Sequence, residues 1–277
     1  MKAADVSYLS EMLRRRAGLS IANAKSRLIE TRLAPVMRRF GFKDAGALVA
    51  ELRNGHDALA RAVTEAMTIN ESSFFRDRAG FARFQETILP DILRHRERTR
   101  RLRIWCAACA SGQEAYSIAM ILQDMKLRAG GWTIDIVATD ISSEMIARAE
   151  QGLYSHFEVQ RGLPIRRLVE NFTQEGAGWR IGESLRRMVT FRQFNLLDSY
   201  GWLEDIDAVF CCNVLIYFDN KTKAGVLDRM AEVLGPDGYL ILGPVETANG
   251  HSSEFVPAMD MPGVFVKARR VPLRAAV

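Results

Sequence analysis

Leu102-Arg103-Ile104-Trp105-Cys106-Ala107-Ala108-Cys109-Ala110-Ser111-Gly112-Gln113-Glu114-Ala115-Tyr116-Ser117 is the stretch that decides the fold. An apolar run from Leu102 to Cys106 gives way to small residues and a glycine, and a helical texture then holds from Ala115 to Arg128. Three further apolar runs follow, Ile134 to Thr139, Ala208 to Cys212 and Tyr239 to Leu242, with helical segments near Ser142 to Gln151 and Lys221 to Leu234. Strands without polar alternation are buried on both faces, and their alternation with helices predicts a doubly wound parallel α/β sheet. Ligands of such sheets sit beyond the carboxyl ends of the strands, so the residues just after each run are the candidates.

After the first run, the small residues and Gly112 let backbone approach a ligand closely, and the next helix offers its N-terminal N–H groups. The second run ends in Thr139-Asp140, and a carboxylate there suits the two hydroxyls of a ribose. Either feature alone is also what an ordinary turn and a helix cap look like. Together, separated by one helix and one strand, they favour an adenosine-type cofactor.

Working outward, Val6 to about Met67 shows helical spacing, as in Ile29, Leu33, Val36 and Phe40, and no strand-like alternation. Gly18, Gly41 and Gly55 are expected helix stops, and Asp44 and Asp57 expected N-caps. The texture changes after the Arg-rich stretch Arg94 to Arg103. Between Gly152 and Thr190 the pattern breaks around Gly176, Gly178 and Gly182, and this segment, with the Arg186-to-Phe191 run, reads as an inserted hairpin subdomain. The expected division is a helical domain at 1–68 and a sheet domain at 69–277, with the insertion at 152–190.

The 277 residues, 48% hydrophobic, suffice for one large domain and a smaller companion. No stretch reaches the roughly 20 apolar residues that cross a bilayer, and the N-terminus lacks the apolar core of a secretory signal, so a cytoplasmic protein without membrane insertion is expected. Cys106, Cys109, Cys211 and Cys212 are too few for a disulfide framework; the Cys106-x-x-Cys109 spacing also admits a redox or zinc reading, but small packing groups and no metal are expected. Residues 1–100 carry 19 Lys+Arg against 12 Asp+Glu, so the whole positive balance of +5 lies there. That asymmetry asks for an anionic partner without choosing between nucleic acid, lipid and acidic protein. Lys25, Arg32 and Arg39, seven apart, flank the apolar stripe of their helix in near alignment and are the candidate substrate-binding cations.

Two other segments sharpen the reading: Met67-Thr68-Ile69-Asn70-Glu71-Ser72-Ser73-Phe74-Phe75-Arg76-Asp77 and Phe210-Cys211-Cys212-Asn213-Val214-Leu215-Ile216-Tyr217-Phe218. With the Gly112 turn and Thr139-Asp140, they resemble the CheR-type chemotaxis methyltransferases along nearly the whole chain. The resemblance implies a Rossmann-like class I methyltransferase sheet with a small all-helical N-terminal domain and an inserted β-subdomain. It implies S-adenosylmethionine as methyl donor, S-adenosylhomocysteine as product, and the glutamates of an acidic region on chemoreceptor cytoplasmic helices as acceptors. By position it puts cofactor contacts on Asn70, Ser72, Arg76, Glu114, Asp140, Asn195, Leu196, Asn213 and Val214, and Arg76 and Tyr217 at the reaction centre. For Phe74 and Phe75, core packing is expected as well. Gln113 and Ala115 depart from the family's usual Glu and Pro, Cys212 from a usual Arg, and Pro244-Val245-Glu246 from a frequent His-Ser-Glu. A monomer is expected.

A glutamate carboxylate, with a pKa near 4.3, is already ionised at neutral pH and needs no general base. Arg76 is suited to orienting a carboxylate and, keeping its proton, cannot act as a base. The rival reading is a nucleic-acid methyltransferase whose basic helical domain binds the polymer. Amino-group chemistry there favours a D/N-P-P-Y/F-like strand end, and Asn213-Val214-Leu215-Ile216 has no proline. A non-catalytic receptor-binding module is a third reading; it would tolerate loss of Arg76, Asp140 or Tyr217, and all three are present.

Overall fold

The computed structural model describes residues 1–21 and 26–268. Its contacts fall into two compact units, Met1–Ile69 with Tyr217–Thr222, and Asn70–Ile216 with Lys223–Val277.

The first unit is helical. Helix α1 (Ala3–Ala17) carries Arg14, Arg15 and Arg16 in its last turn, where cations complement the helix dipole, and it stops at Gly18 in a left-handed conformation. A side chain at Gly18 would strain that φ of 70° and meet Thr222 Cγ2 at 2.7 Å, so the stop is also a close approach. Helix α2 (Ser26–Phe40) buries Ile29, Leu33 and Val36. Helix α3 (Ala45–Arg53) is capped by Asp44, which accepts from the N–H of Ala47. Helix α4 (Asp57–Met67) buries Leu59, Ala60, Val63 and Met67. These stripes close on one another as a single core with Leu9 and Leu13. At the start of α4 the expected cap is corrected: His56 Nδ1 accepts from Leu59 N–H, while the Asp57 carboxylate pairs with Arg16 and Arg61. Asp57 is the first helical residue, one position too far along to cap.

The second unit begins with α5 (Arg78–Arg83), a π-helical turn at Phe84–Ile88 and α6 (Leu89–His95). Then come β1 (Arg101–Ala107), α7 (Gln113–Asp124), β2 (Thr133–Asp140) and α8 (Ser143–Gln151). The insertion comprises β3 (Leu153–Ser155), α9 (His156–Gln160), α10 (Ile165–Asn171), β4 (Phe172–Glu175) and β5 (Gly178–Ile181). The chain continues through α11 (Glu183–Arg186), β6 (Val189–Gln193), β7 (Ile206–Cys211), α12 (Asn220–Val233), β8 (Leu234–Leu242), β9 (Phe255–Pro257) and β10 (Val264–Lys267).

The main sheet runs β6-β2-β1-β7-β8-β10-β9. The first five strands are parallel, and β10 pairs antiparallel with β8 and β9. Strand order reverses between β1 and β7, and the crevice beyond their carboxyl ends is where a sheet of this kind takes its ligand. The insertion forms its own antiparallel sheet, β3-β5-β4. The Arg186-to-Phe191 run lies in neither hairpin strand: it contributes β6, parallel to β2 with Ile136 opposite Val189. The expected apolar runs are largely buried, with every residue of β7 sequestered and Trp105 donating from its ring nitrogen to Thr139 Oγ1 at 3.0 Å.

Candidate functional site

The site is assembled by loops that no isolated strand end would adopt. Non-glycine residues with positive φ include Phe75 (47°), Ala108 (57°), Ala110 (47°) and Asn213 (60°), and Gly112 stands at 89°. Left-handed conformations cost an L-residue roughly 1–2 kcal/mol each, so their clustering in the three segments singled out by sequence means that surrounding contacts hold them.

Those contacts are specific. Asp140, 6% exposed, accepts from Ala110 N–H at 2.8 Å through Oδ2 and from Ser142 N–H at 2.9 Å through Oδ1. It therefore staples the turn after β1 to the turn after β2. Each carboxylate oxygen has a second lone-pair direction, so the staple does not by itself exhaust its acceptor capacity. Cys109 N–H donates to Thr139 O at 2.8 Å, and Tyr154 OH, from the insertion, donates to Ser111 O at 2.8 Å. Gly112 packs so tightly that a Cβ would lie 2.9 Å from Ala149 and 3.1 Å from Phe191. Gln113, one of the departures, is 1% exposed and its Oε1 accepts from Ser111 Oγ at 3.0 Å, an internal role for the turn.

The 70–77 segment is anchored by its aromatics. Phe74 is fully buried, edge-on to Tyr154 and Phe172, and Phe75, edge-on to Phe81, has the Arg167 guanidinium 4.8 Å from its ring centre. Phe75 N–H donates to Ser117 Oγ at 3.1 Å, which ties the segment to α7. Arg76 is left exposed, with Nη1 on Glu71 O at 2.8 Å. Asn70 and Ser72 are half-buried in the same segment.

Arg76, Glu114, Cys212, Asn213, Gly243 and Pro244 line one cleft with Phe81 and Phe210. Glu114 accepts from Cys106 Sγ at 3.1 Å. Burial pushes its carboxyl pKa above the usual range, partly offset by the Cys106 and Cys212 thiols and by the Arg76 charge. Cys212, in the place of the usual Arg, points its thiol at Ile241 O, 3.8 Å away. The four cysteines are free thiols, and burial pushes all of them up, so they remain protonated.

The remaining candidates lie elsewhere on the two units. Asn195 makes a local turn, its Oδ1 accepting from Leu197 N–H at 3.1 Å, and buried Leu196 offers its carbonyl to Tyr200 OH and Arg229 Nη2. Val214 is half-buried beside Asn213. In the helical unit, Tyr217 ends a short 3-10 turn and lines a cleft with Leu19, Ile21, Leu28, Arg32, Met67 and Ile69. Arg32 Nη1 donates to Met67 O at 2.9 Å and Thr68 O at 3.3 Å, satisfying carbonyls at the end of α4. Arg39 is exposed, 5.5 Å from the centre of the Phe40 ring, and Lys25 lies outside the described residues.

Sequence reasoning assigned nothing to Glu246, Ser117 or Tyr154. Glu246 is 8% exposed and bonds the N–H groups of Asn213 and Gly243. The available signal was an acid placed just after the Tyr239-to-Leu242 run.

A family described as the SAM-binding domain of CheR methyltransferase matches residues 70–262, and its all-alpha domain matches residues 4–68. The chain is 37% identical to chemotaxis protein methyltransferase 1 of Pseudomonas aeruginosa, over 96% of this chain and 98% of that one. It is 36% identical to chemotaxis protein methyltransferase Cher2 of Pseudomonas putida, with the same coverage, and 35% identical to a chemotaxis protein methyltransferase of Vibrio parahaemolyticus, over 94% and 95%.

Proposed function

This chain belongs to the CheR methyltransferase family, whose sheet unit binds S-adenosylmethionine, and from that premise we propose that it esterifies glutamate γ-carboxylates on the cytoplasmic helices of a chemoreceptor. The observation that carries the reading is the cleft at the carboxyl ends of β1, β7 and β8, where an exposed guanidinium, Arg76, and a half-buried carboxylate, Glu114, line one space. That pair fits the carboxylate and ammonium of an amino-acid end, and Asp140 at the end of β2 fits a ribose.

Arg76 and Glu114 would hold the methionine end, Asp140 the ribose, and Asn70, Ser72, Asn195, Leu196, Asn213 and Val214 the remaining contacts. When bound, the cofactor supplies a methyl group on a sulfonium sulfur that departs as a neutral thioether, with no proton to move. The acceptor carboxylate is ionised at neutral pH, so the chain's tasks are alignment and exclusion of water. Arg76 is a donor fork for a carboxylate and cannot remove a proton. The family resemblance gives Tyr217 a role in the transfer, for which it would supply an aromatic face and one O–H. The exposed cations of α2, led by Arg39, supply the field for an acidic helix.

The alternative of nucleic-acid methylation has no support in the three relatives named above, each a chemotaxis protein methyltransferase, and Asn213-Val214-Leu215-Ile216 lacks the prolines of that chemistry. No helix among the described residues is long and apolar enough to cross a membrane. The test is incubation with methyl-labelled S-adenosylmethionine and either a chemoreceptor cytoplasmic fragment or RNA and DNA. Label is expected in the receptor fragment alone; label in nucleic acid reverses the reading.

A further inference from the structure

The segment after β7 has to hold a left-handed residue, Asn213, at φ 60° while it presents Asn213 and Val214. The Glu246 carboxylate restrains it. Glu246 accepts from Asn213 N–H at 2.6 Å and Gly243 N–H at 2.9 Å through Oε2, and from Ile216 N–H at 3.3 Å through Oε1. It thus grips the segment at residues 213 and 216 and ties it to the end of β8. The grip depends on an absent side chain: a Cβ on Gly243 would lie 2.7 Å from Glu246 Oε2 and 2.9 Å from Asn213 Nδ2. Three backbone donors on one carboxylate are charge-assisted bonds, and a neutral or shorter side chain cannot satisfy all three.

We infer that Glu246 is a positioning residue for methyl transfer: acting through backbone amides and touching neither reactant, it fixes the Asn213–Ile216 segment in the conformation that receives the cofactor. The inference rests on the proposed contacts of Asn213 and Val214. Asp207 supplies a built-in control. It is a buried carboxylate near the opposite end of β7, bonded to Arg103 N–H at 2.8 Å and Arg96 Nε at 2.7 Å, and neither of these bonds reaches the segment.

The experiment compares Glu246→Gln, Glu246→Asp, Gly243→Ala and Asp207→Asn by melting temperature, calorimetric affinity for S-adenosylhomocysteine and kcat. The Glu246 variants and Gly243→Ala are expected to lose at least about tenfold in affinity and in kcat, whereas Asp207→Asn, at a similar loss of melting temperature, stays within about threefold in both. Should Glu246→Gln fail to fold, Glu246→Asp and Gly243→Ala carry the comparison. Glu246 variants that behave like Asp207→Asn overturn the positioning role alone. A wild-type protein without affinity for S-adenosylhomocysteine overturns the functional reading and this inference with it.

Discussion

Replacing Asp140 by Asn separates two roles that one carboxylate combines. The wild-type oxygens each accept a backbone N–H, from Ala110 at 2.8 Å and Ser142 at 2.9 Å, in a site only 6% exposed. Asn keeps one acceptor and turns an NH2 group toward the other donor. One charge-assisted bond, worth about 1.5–3 kcal/mol, is lost and a buried N–H is orphaned, so a destabilisation of about 2–4 kcal/mol follows. For a unit of this size that corresponds to a melting temperature lower by roughly 5–10 °C. The same change removes the anion proposed to meet the ribose hydroxyls and frees left-handed Ala110 to relax, so affinity for S-adenosylhomocysteine falls by about 10–100-fold. Thermal unfolding followed by circular dichroism gives the first number and titration calorimetry the second. An unchanged melting temperature would refute the staple, and an unchanged affinity would refute the ribose assignment.

Arg76→Ala is expected to lower kcat/KM for methyl transfer by about a hundredfold and Tyr217→Phe by less than about tenfold, since only the former removes a charged fork; steady-state kinetics showing the reverse ranking contradict this division of labour. Glu114→Gln should raise the melting temperature at neutral pH, because burial makes the ionised Glu114 unfavourable, yet weaken cofactor binding. For the same reason wild-type affinity for S-adenosylhomocysteine should decline as pH falls through the raised Glu114 pKa, a loss beginning at higher pH than an ordinary glutamate would give; a flat calorimetric profile in Glu114→Gln and a sloping one in wild type is the expected pair. Arg38→Glu with Arg39→Glu should weaken binding of a receptor fragment in a salt-dependent way at unchanged melting temperature, while Arg32→Ala should lower that temperature, because Arg32 bonds the Met67 and Thr68 carbonyls. Equal receptor affinity across these variants removes α2 from the interface.

The sheet was legible where burial leaves a strong pattern. The Leu102, Ile134, Ala208 and Tyr239 runs lie in β1, β2, β7 and β8 because strands buried on both faces need continuous apolar sequence. The third strand of the sheet, β6, was hidden because its exposed edge carries Arg192 and Gln193, and β9 and β10 are short antiparallel additions. Helix α10 escaped because Ile165 and Val169 point outward, 73% and 74% exposed, which erases the amphipathic stripe. Site residues carried by local motifs, such as Glu114 and Asn213, come to one cleft. The place of Glu246 just after the Tyr239-to-Leu242 run marked it as a candidate, but its role was illegible because its partners are backbone amides, which leave no mark in sequence, and Asn213 lies 33 positions away. Arg32 looked like one cation of a row, and only the fold shows that its guanidinium is engaged with α4.

The most direct measurement is the fate of the transferred label in mild alkali. Receptor fragment labelled by this protein should release its methyl group as volatile methanol, as a carboxyl ester does. Label that stays on the fragment after the same treatment marks a bond to nitrogen or sulfur, and contradicts glutamate esterification.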